Sequence, residues 1–390
     1  MDAASTLHID TLLSAASEST GLDDLGADTW REGLDRLVEA LRSEARLNEI
    51  GVQVAAGDVL GHLTNRLRVV DWHQSHPELA RADVTPPIFI VGQGRTGTTI
   101  LHDLLAQDPA NRVPLTWEVD HPIPPPETAT FATDPRIATS QAQLDMSELV
   151  IPGFKAMHPM GAQLAQECVR ITASEFRSVI FPTQYRVPSY GHWMIYEADV
   201  TPAYHWHRRY LQVLQSKHHG ERWVLKSPGH IWCLPELLAE YPNALLVQTH
   251  RDPLRIIASI SSLLATLRRL ASDHTAIAEG AAEFAEYLME GLDRSVTARE
   301  NGTVPAERVI DVQFRDFLAD PLATVRRIYA RLGLELSPQA EARMQAFIVA
   351  NPQDKHGLHR YSFADTELDA GAWRERARRY QEYFDVASEG

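Results

Sequence analysis

PIFIVGQGRTGTTILHDLLAQDP, residues 87–109, is a strand, a glycine-rich loop and a helix written in one line. Ile88 to Val91 is an apolar run of strand length, β-branched and aromatic. Gly92, Gly94 and Gly97 follow at a spacing that lets backbone turn tightly or approach a ligand. Thr98 and Thr99 open a helix with Ile100, Leu101, Leu104 and Leu105 on its apolar face, and Asp108-Pro109 ends it. Strand, loop and helix N-terminus together aim backbone N–H groups and the helix dipole at one point, the usual cradle for a phosphate.

The loop nearly fits the nucleotide-binding P-loop. Gly92 and Gly97 keep its spacing, and Thr99 stands where that motif ends in Ser or Thr. The position a nucleotidase fills with lysine is Thr98, and the cation is Arg95, inside the loop. A neutral turn needs neither Arg95 nor paired threonines, so the stretch reads as an anion site.

Residues 222–264 carry a second signal. Trp223-Val224-Leu225 reads as a strand, Lys226-Ser227-Pro228 as a loop, and His230 to Tyr241 as a helix. Ala244 to Gln248 is a buried-strand run ending in Thr249-His250-Arg251-Asp252-Pro253, and a helix with Ile256, Ile257, Ile260, Leu263 and Leu264 follows. This is the grammar of a parallel sheet covered by helices, in which ligands bind at the carboxyl ends of the strands.

On these motifs the chain resembles the bacterial, P-loop-like sulfotransferases that use 3′-phosphoadenosine 5′-phosphosulfate (PAPS). Gly94-Arg95-Thr96-Gly97-Thr98-Thr99 is similar to their 5′-phosphosulfate loop, usually Pro-Lys/Arg-Ser-Gly-Thr-Thr, with Gly94 for the Pro and Thr96 for the Ser. Arg251, the turn after it and Ser259 two helical turns on resemble the family's 3′-phosphate motif, and a phosphate dianion does call for an arginine fork and a hydroxyl. Lys226 resembles the strand-end lysine near the bridging oxygen. The tract DKHGLHRYS, residues 354–362, resembles the C-terminal loop that closes over the cofactor, which assigns Lys355, Gly357, His359, Arg360 and Tyr361 to cofactor binding. The resemblance runs from about Pro86 through the C-terminal region. It implies an α/β fold, a parallel β-sheet flanked by helices of P-loop NTPase-like sulfotransferase type, with a helical N-terminal region and a helical insertion.

The implied reaction is in-line transfer of a sulfuryl group to an acceptor oxygen or nitrogen, where the protein positions groups and stabilises charge. Arg95 and Lys226 would act at the bridging oxygen, and the loop N–H groups with Thr98 and Thr99 at the 5′-phosphate. A general base must take the acceptor's proton. Glu118 is favoured, because tyrosylprotein-type members carry a Glu at similar distance after the loop; Glu167 and His158 are its rivals, and a structural pairing with Arg95 is the plain alternative. A metal-dependent P-loop kinase and a non-catalytic nucleotide-binding protein are the other readings. Thr98 weighs against the first, and intact Arg95, Lys226, Arg251 and Ser259 against the second.

The remainder sets bounds. The chain has 390 residues with formal net charge -15, which argues against a general nucleic-acid binder but leaves room for one basic pocket. Cys168 and Cys233 imply no disulfide framework, the N-terminus MDAASTLHIDTLL lacks a secretory pattern, and no run suits a membrane helix, so a cytoplasmic location is expected. Residues 1–85 read as a helical layer or an oligomer contact. Trp30, Leu34, Leu37, Val38 and Leu41 lie on one helical face, and Arg31, Arg42, Arg46, Arg66 and Arg68 are solvated. Residues 86–390 form the α/β domain, in which Trp117-Glu118-Val119 is expected at the end of a returning strand. Residues 128–220 read as a helical insertion whose aromatics, with Glu167, His158 and His192, suggest a pocket for an apolar or amphipathic small-molecule acceptor. Further on, residues 271–300 read as a helix with Phe284, Leu288 and Leu292 inward, and the tail from Trp373 as a solvated amphipathic helix. No metal site is expected, since the His205-x-His207 and His218-His219 pairs have no cysteine at ligand spacing.

Overall fold

The structure is a computed structural model, and it describes residues 6–150, 161–352 and 361–389. The chain forms two compact units, one of Met1–Val84, Pro114–His219 and Leu264–Ala276, the other of Thr85–Val113, Gly220–Leu263 and Ile277–Gly390.

The second unit is built on a parallel five-stranded sheet. Its strands are β1 (Pro87–Val91), β2 (Asn111–Arg112), β3 (Arg222–Lys226), β4 (Leu245–His250) and β5 (Val309–Gln313), in the order β2-β3-β1-β4-β5. Every residue of β1 is buried, as a strand covered on both faces requires, and its unbroken apolar run follows from that. Phe89 lies level with Leu225 on one side and Leu246 on the other. Pro87 opens the strand, where a missing N–H costs least.

The connectivity sets the site. From β1 the chain moves to β2 and β3 on one side, then crosses to β4 and β5 on the other. The carboxyl ends of β3, β1 and β4 therefore lie side by side at a switch point, where open α/β sheets bind ligands. The helix Thr98–Leu105 leaves the loop after β1 and buries Leu101, Leu104 and Leu105; Ile100 is only half-buried. His102 on the same helix is also buried, its Nε2 bonded to the Val224 carbonyl at 2.9 Å.

Several local expectations change. Trp117-Glu118-Val119 is helical, in the short helix Thr116–Asp120, and the returning strand is the two-residue β2 before it. Leu115 is extended, and the Glu118 carboxylate accepts its N–H at 2.8 Å, a capping arrangement that starts a helix there. The helix expected from His230 begins at Leu234, with proline in its first turn, after a 3₁₀ turn at Pro228–Trp232. The helix expected over 271–300 spans Ile277–Glu300, with Leu288 and Leu292 buried and Phe284 half-exposed. The C-terminal helix Ala370–Phe384 buries Ala377, Tyr380 and Phe384, and Arg374 is paired with the buried Asp252.

The first unit is helical. Trp30, Leu34, Leu37, Val38 and Leu41 are all buried, as their spacing requires. Arg66, read as solvated, is buried in the helix Glu49–Ser75 and paired with Glu175. Phe176, Phe181, Tyr190, Trp193, Tyr204 and Trp206 are core residues; Phe181 meets Tyr190 edge-on at 5.7 Å, and Tyr190 meets Trp193 at 5.5 Å. Among the described residues no helix is long and apolar enough to cross a membrane.

Candidate functional site

The loop between β1 and the helix Thr98–Leu105 is shaped by what lies under it. At Gly92, φ is 134°, and a Cβ there would stand 2.4 Å from Thr249 Oγ1 and 2.7 Å from its carbonyl oxygen. Thr96 is buried and turned inward: its hydroxyl donates to the Gln93 carbonyl and shares a 2.6 Å bond with Thr249. Its side chain ties the loop to β4, so what Thr96 offers a ligand is backbone. Arg95 takes the left-handed conformation with φ 69°, uncommon outside glycine, and Gly97 follows at φ 88°.

Three cation-bearing groups meet around this loop. Arg95 Nε donates to Ser259 Oγ at 3.0 Å. Arg251 Nη1 donates to the Arg95 carbonyl at 3.0 Å, while its Nε and Nη2 take both carboxylate oxygens of Glu389 at 2.9 Å each. On the neighbouring strand end Lys226 is fully buried, with Nζ 3.3 Å from Thr99 Oγ1. Arg251 lies over the Phe314 ring at 4.1 Å, and Arg255 over the Tyr361 ring at 5.4 Å. Burial pulls Arg95 below the usual arginine value, and the charge of Arg251 pulls the same way. Burial also works against Arg251, but the bond and charge of Glu389, together with Tyr361, hold it above that value. Arg251 already has a carboxylate partner in Glu389.

A buried polar relay braces this arrangement. His250, next to Arg251, is buried with Nδ1 bonded to Tyr380 Oη at 2.8 Å and Nε2 to Asp311 at 2.9 Å. Asp252 is gripped by both terminal nitrogens of Arg374. These residues position Arg251 from both sides, and none of their pairings is written in the local sequence. The one local signal was their placement within Thr249-His250-Arg251-Asp252, whose partners lie far along the chain.

Of the expected site residues, Gly94, Arg95, Thr96, Gly97, Thr98, Thr99, Lys226, Arg251 and Ser259 gather at the carboxyl ends of β1, β3 and β4. Tyr361 joins them through Arg255. His158, Lys355, Gly357, His359 and Arg360 lie outside the described residues. Glu118 belongs to the helical unit, fully buried, with its carboxylate on the Leu115 N–H. Glu167, in that unit too, precedes the helix Cys168–Thr172 without capping it through its side chain. Among the described residues no three His, Cys, Asp or Glu side chains gather as a metal site.

Residues 86–338 match the model of the sulfotransferase family. The chain is similar to the crystal structure of sulfotransferase STF9 from Mycobacterium avium, at 32% identity with a TM-score of 0.88, covering 98% of each chain. It is similar to sulfotransferase STF1 from Mycobacterium tuberculosis H37Rv, at 34% identity and TM-score 0.84, covering 95% of this chain and 98% of that one. It is also 26% identical over 300 residues to the omega-hydroxy-beta-dihydromenaquinone-9 sulfotransferase Stf3 of Mycobacterium tuberculosis, covering 76% of this chain and 75% of the relative.

Proposed function

This chain belongs to the sulfotransferase family, and from that premise we propose that it transfers a sulfuryl group from PAPS to a hydroxyl or amine of an apolar or amphipathic acceptor. The observation that carries the reading is the convergence of Arg95, Arg251, Ser259 and Lys226 on one glycine-rich loop. The donor set fits the nucleotide: Arg251 already holds an anion through two parallel N–H groups, Nε and Nη2, the bidentate grip a phosphate takes. When bound, PAPS would supply the activated sulfuryl group.

The chain's residues then divide the work. Loop N–H groups with Thr98 and Thr99 hold the 5′-phosphate, and Arg251 with Ser259 holds the 3′-phosphate. Lys226 and Arg95 balance charge that grows on the leaving oxygen, where a desolvated cation acts most strongly. Glu118 takes the acceptor's proton, with Glu167 the alternative carboxylate. For the acceptor, the helical unit carries a cleft of about 540 Å³ lined by the apolar Ala132, Pro135, Ile137, Ala138, Ala162 and Leu164 and by the polar Thr133, Asp134, Gln141 and Gln163. Such a mixed lining suits an amphipathic body. The relative named for omega-hydroxy-beta-dihydromenaquinone-9 supports a hydroxyl acceptor.

Calorimetry with 3′-phosphoadenosine 5′-phosphate (PAP), against ATP with magnesium, tests the donor. Metal-independent binding of PAP, weakened about 100-fold or more in Arg251→Ala, is expected for a charged fork on a phosphate. Binding of ATP with magnesium alone would leave the kinase reading instead. For the base, Glu118→Gln should lower turnover about 10²- to 10⁴-fold with PAP affinity unchanged. Near-normal turnover in that variant, with loss in Glu167→Gln, would move the role to Glu167.

A further inference from the structure

We propose that Glu389 is a built-in competitor for the 3′-phosphate, a carboxylate that holds Arg251 until the nucleotide displaces it; this rests on the reading that Arg251 grips the 3′-phosphate. The Glu389 carboxylate lies on the Nε–Nη2 edge of Arg251, with both bonds at 2.9 Å, and Arg255 Nε is 3.7 Å away. The remaining nitrogen, Nη1, donates to the Arg95 carbonyl. A phosphate that takes the Nε–Nη2 edge bidentately needs the same two N–H groups, and one on the other edge would share Nη2 with the carboxylate and be repelled by it. The two anions are therefore alternatives.

The carboxylate is delivered there by structure. Tyr380 anchors the helix Ala370–Phe384 to His250, and Gln313 Nε2 donates to the Phe384 carbonyl at 2.8 Å. Asp385 ends the helix in the left-handed conformation, φ 51°, and Val386 is buried with its N–H on the Gln381 carbonyl. The Glu389 N–H then donates to Asp252 Oδ2 at 2.7 Å, and Asp252 is itself fixed by Arg374. One carboxylate thus stands on the arginine through backbone and side-chain ties to the strand end that bears it. Half-exposed, Glu389 can swing toward solvent when a stronger anion arrives. Its return would help expel PAP after transfer.

Calorimetry and stopped-flow release are run on the full chain with PAP and with adenosine 5′-monophosphate, which lacks the 3′-phosphate. Glu389→Gln keeps the shape and the N–H bond to Asp252 but removes the charge. It should bind PAP about five- to tenfold tighter and release it more slowly, with the monophosphate unchanged. PAP binding that is unchanged or weaker in Glu389→Gln overturns the competitor. If Arg251→Ala meanwhile loses the preference for PAP over the monophosphate, the 3′-phosphate reading survives that failure. If Arg251→Ala keeps the preference, that reading falls and the competitor falls with it.

Discussion

Arg95 holds a backbone conformation that a glycine would take without strain, and it holds it at the centre of the anion loop. Its Nε bond to Ser259 and its carbonyl bond to Arg251 make it a hub. Strain at such a position is retained where function needs the side chain. Arg95→Gly therefore separates the two roles. Relief of the left-handed strain and the added freedom of the unfolded glycine oppose each other, and losing the bond to the buried Ser259 hydroxyl costs more, so stability should fall by about 1–2 kcal/mol. Sulfuryl transfer should fall ~10²-fold or more, because a preorganised cation is lost from the leaving side. Thermal melts and initial rates on one preparation check both. A large loss of stability with activity retained would show that Arg95 serves the loop's shape alone.

At the scale of elements, the helix Glu49–Ser75 shows how a charge is made structural. Arg66 is buried between the carboxylate of Glu175 and the carbonyls of Leu25, Ala27 and Ser174, and its guanidinium lies 4.5 Å from the Trp206 ring centre. One side chain thus joins an N-terminal loop, a long helix and the 173–175 turn. Burial raises Glu175 above the ordinary carboxylate value even though Arg66 opposes it, the mark of a pair costly to desolvate. Arg66→Ala should therefore cost about 3–5 kcal/mol by leaving Glu175 buried and alone. Arg66→Met together with Glu175→Gln should lose clearly less, and urea titrations of the two variants decide it. The sequence placed Arg66 among solvated arginines because helical spacing near Leu63 and Leu67 says nothing about a carboxylate 109 residues away. The same blindness applied to Arg374, whose partner Asp252 lies 122 residues back.

For the molecule as a whole, acid should be the weak side. His62, His73, His207 and His250 are buried, and burial pushes each below its ordinary value, His207 to about 3. A depressed folded value means stability that is present above the unfolded value near ~6.5 and lost as pH falls through the folded one. The urea midpoint should accordingly drop between about pH 6.5 and 4.5, and His207→Leu should drop less over that interval. A midpoint flat across that range would contradict the expectation. The β1 stretch, its glycine spacing and the strands β3 and β4 were legible from local pattern, because an apolar strand, a turn glycine and a helix face are each written within a few neighbouring residues. So was the family, since the anion loop is contiguous. The strand order β2-β3-β1-β4-β5, the helical state of Trp117-Glu118-Val119, the core role of the insertion's aromatics and the seat of Glu389 on Arg251 were decided only in three dimensions. Each depends on which distant residue supplies the partner atom, and burial and ion pairing are properties of that meeting, not of the spacing along the chain.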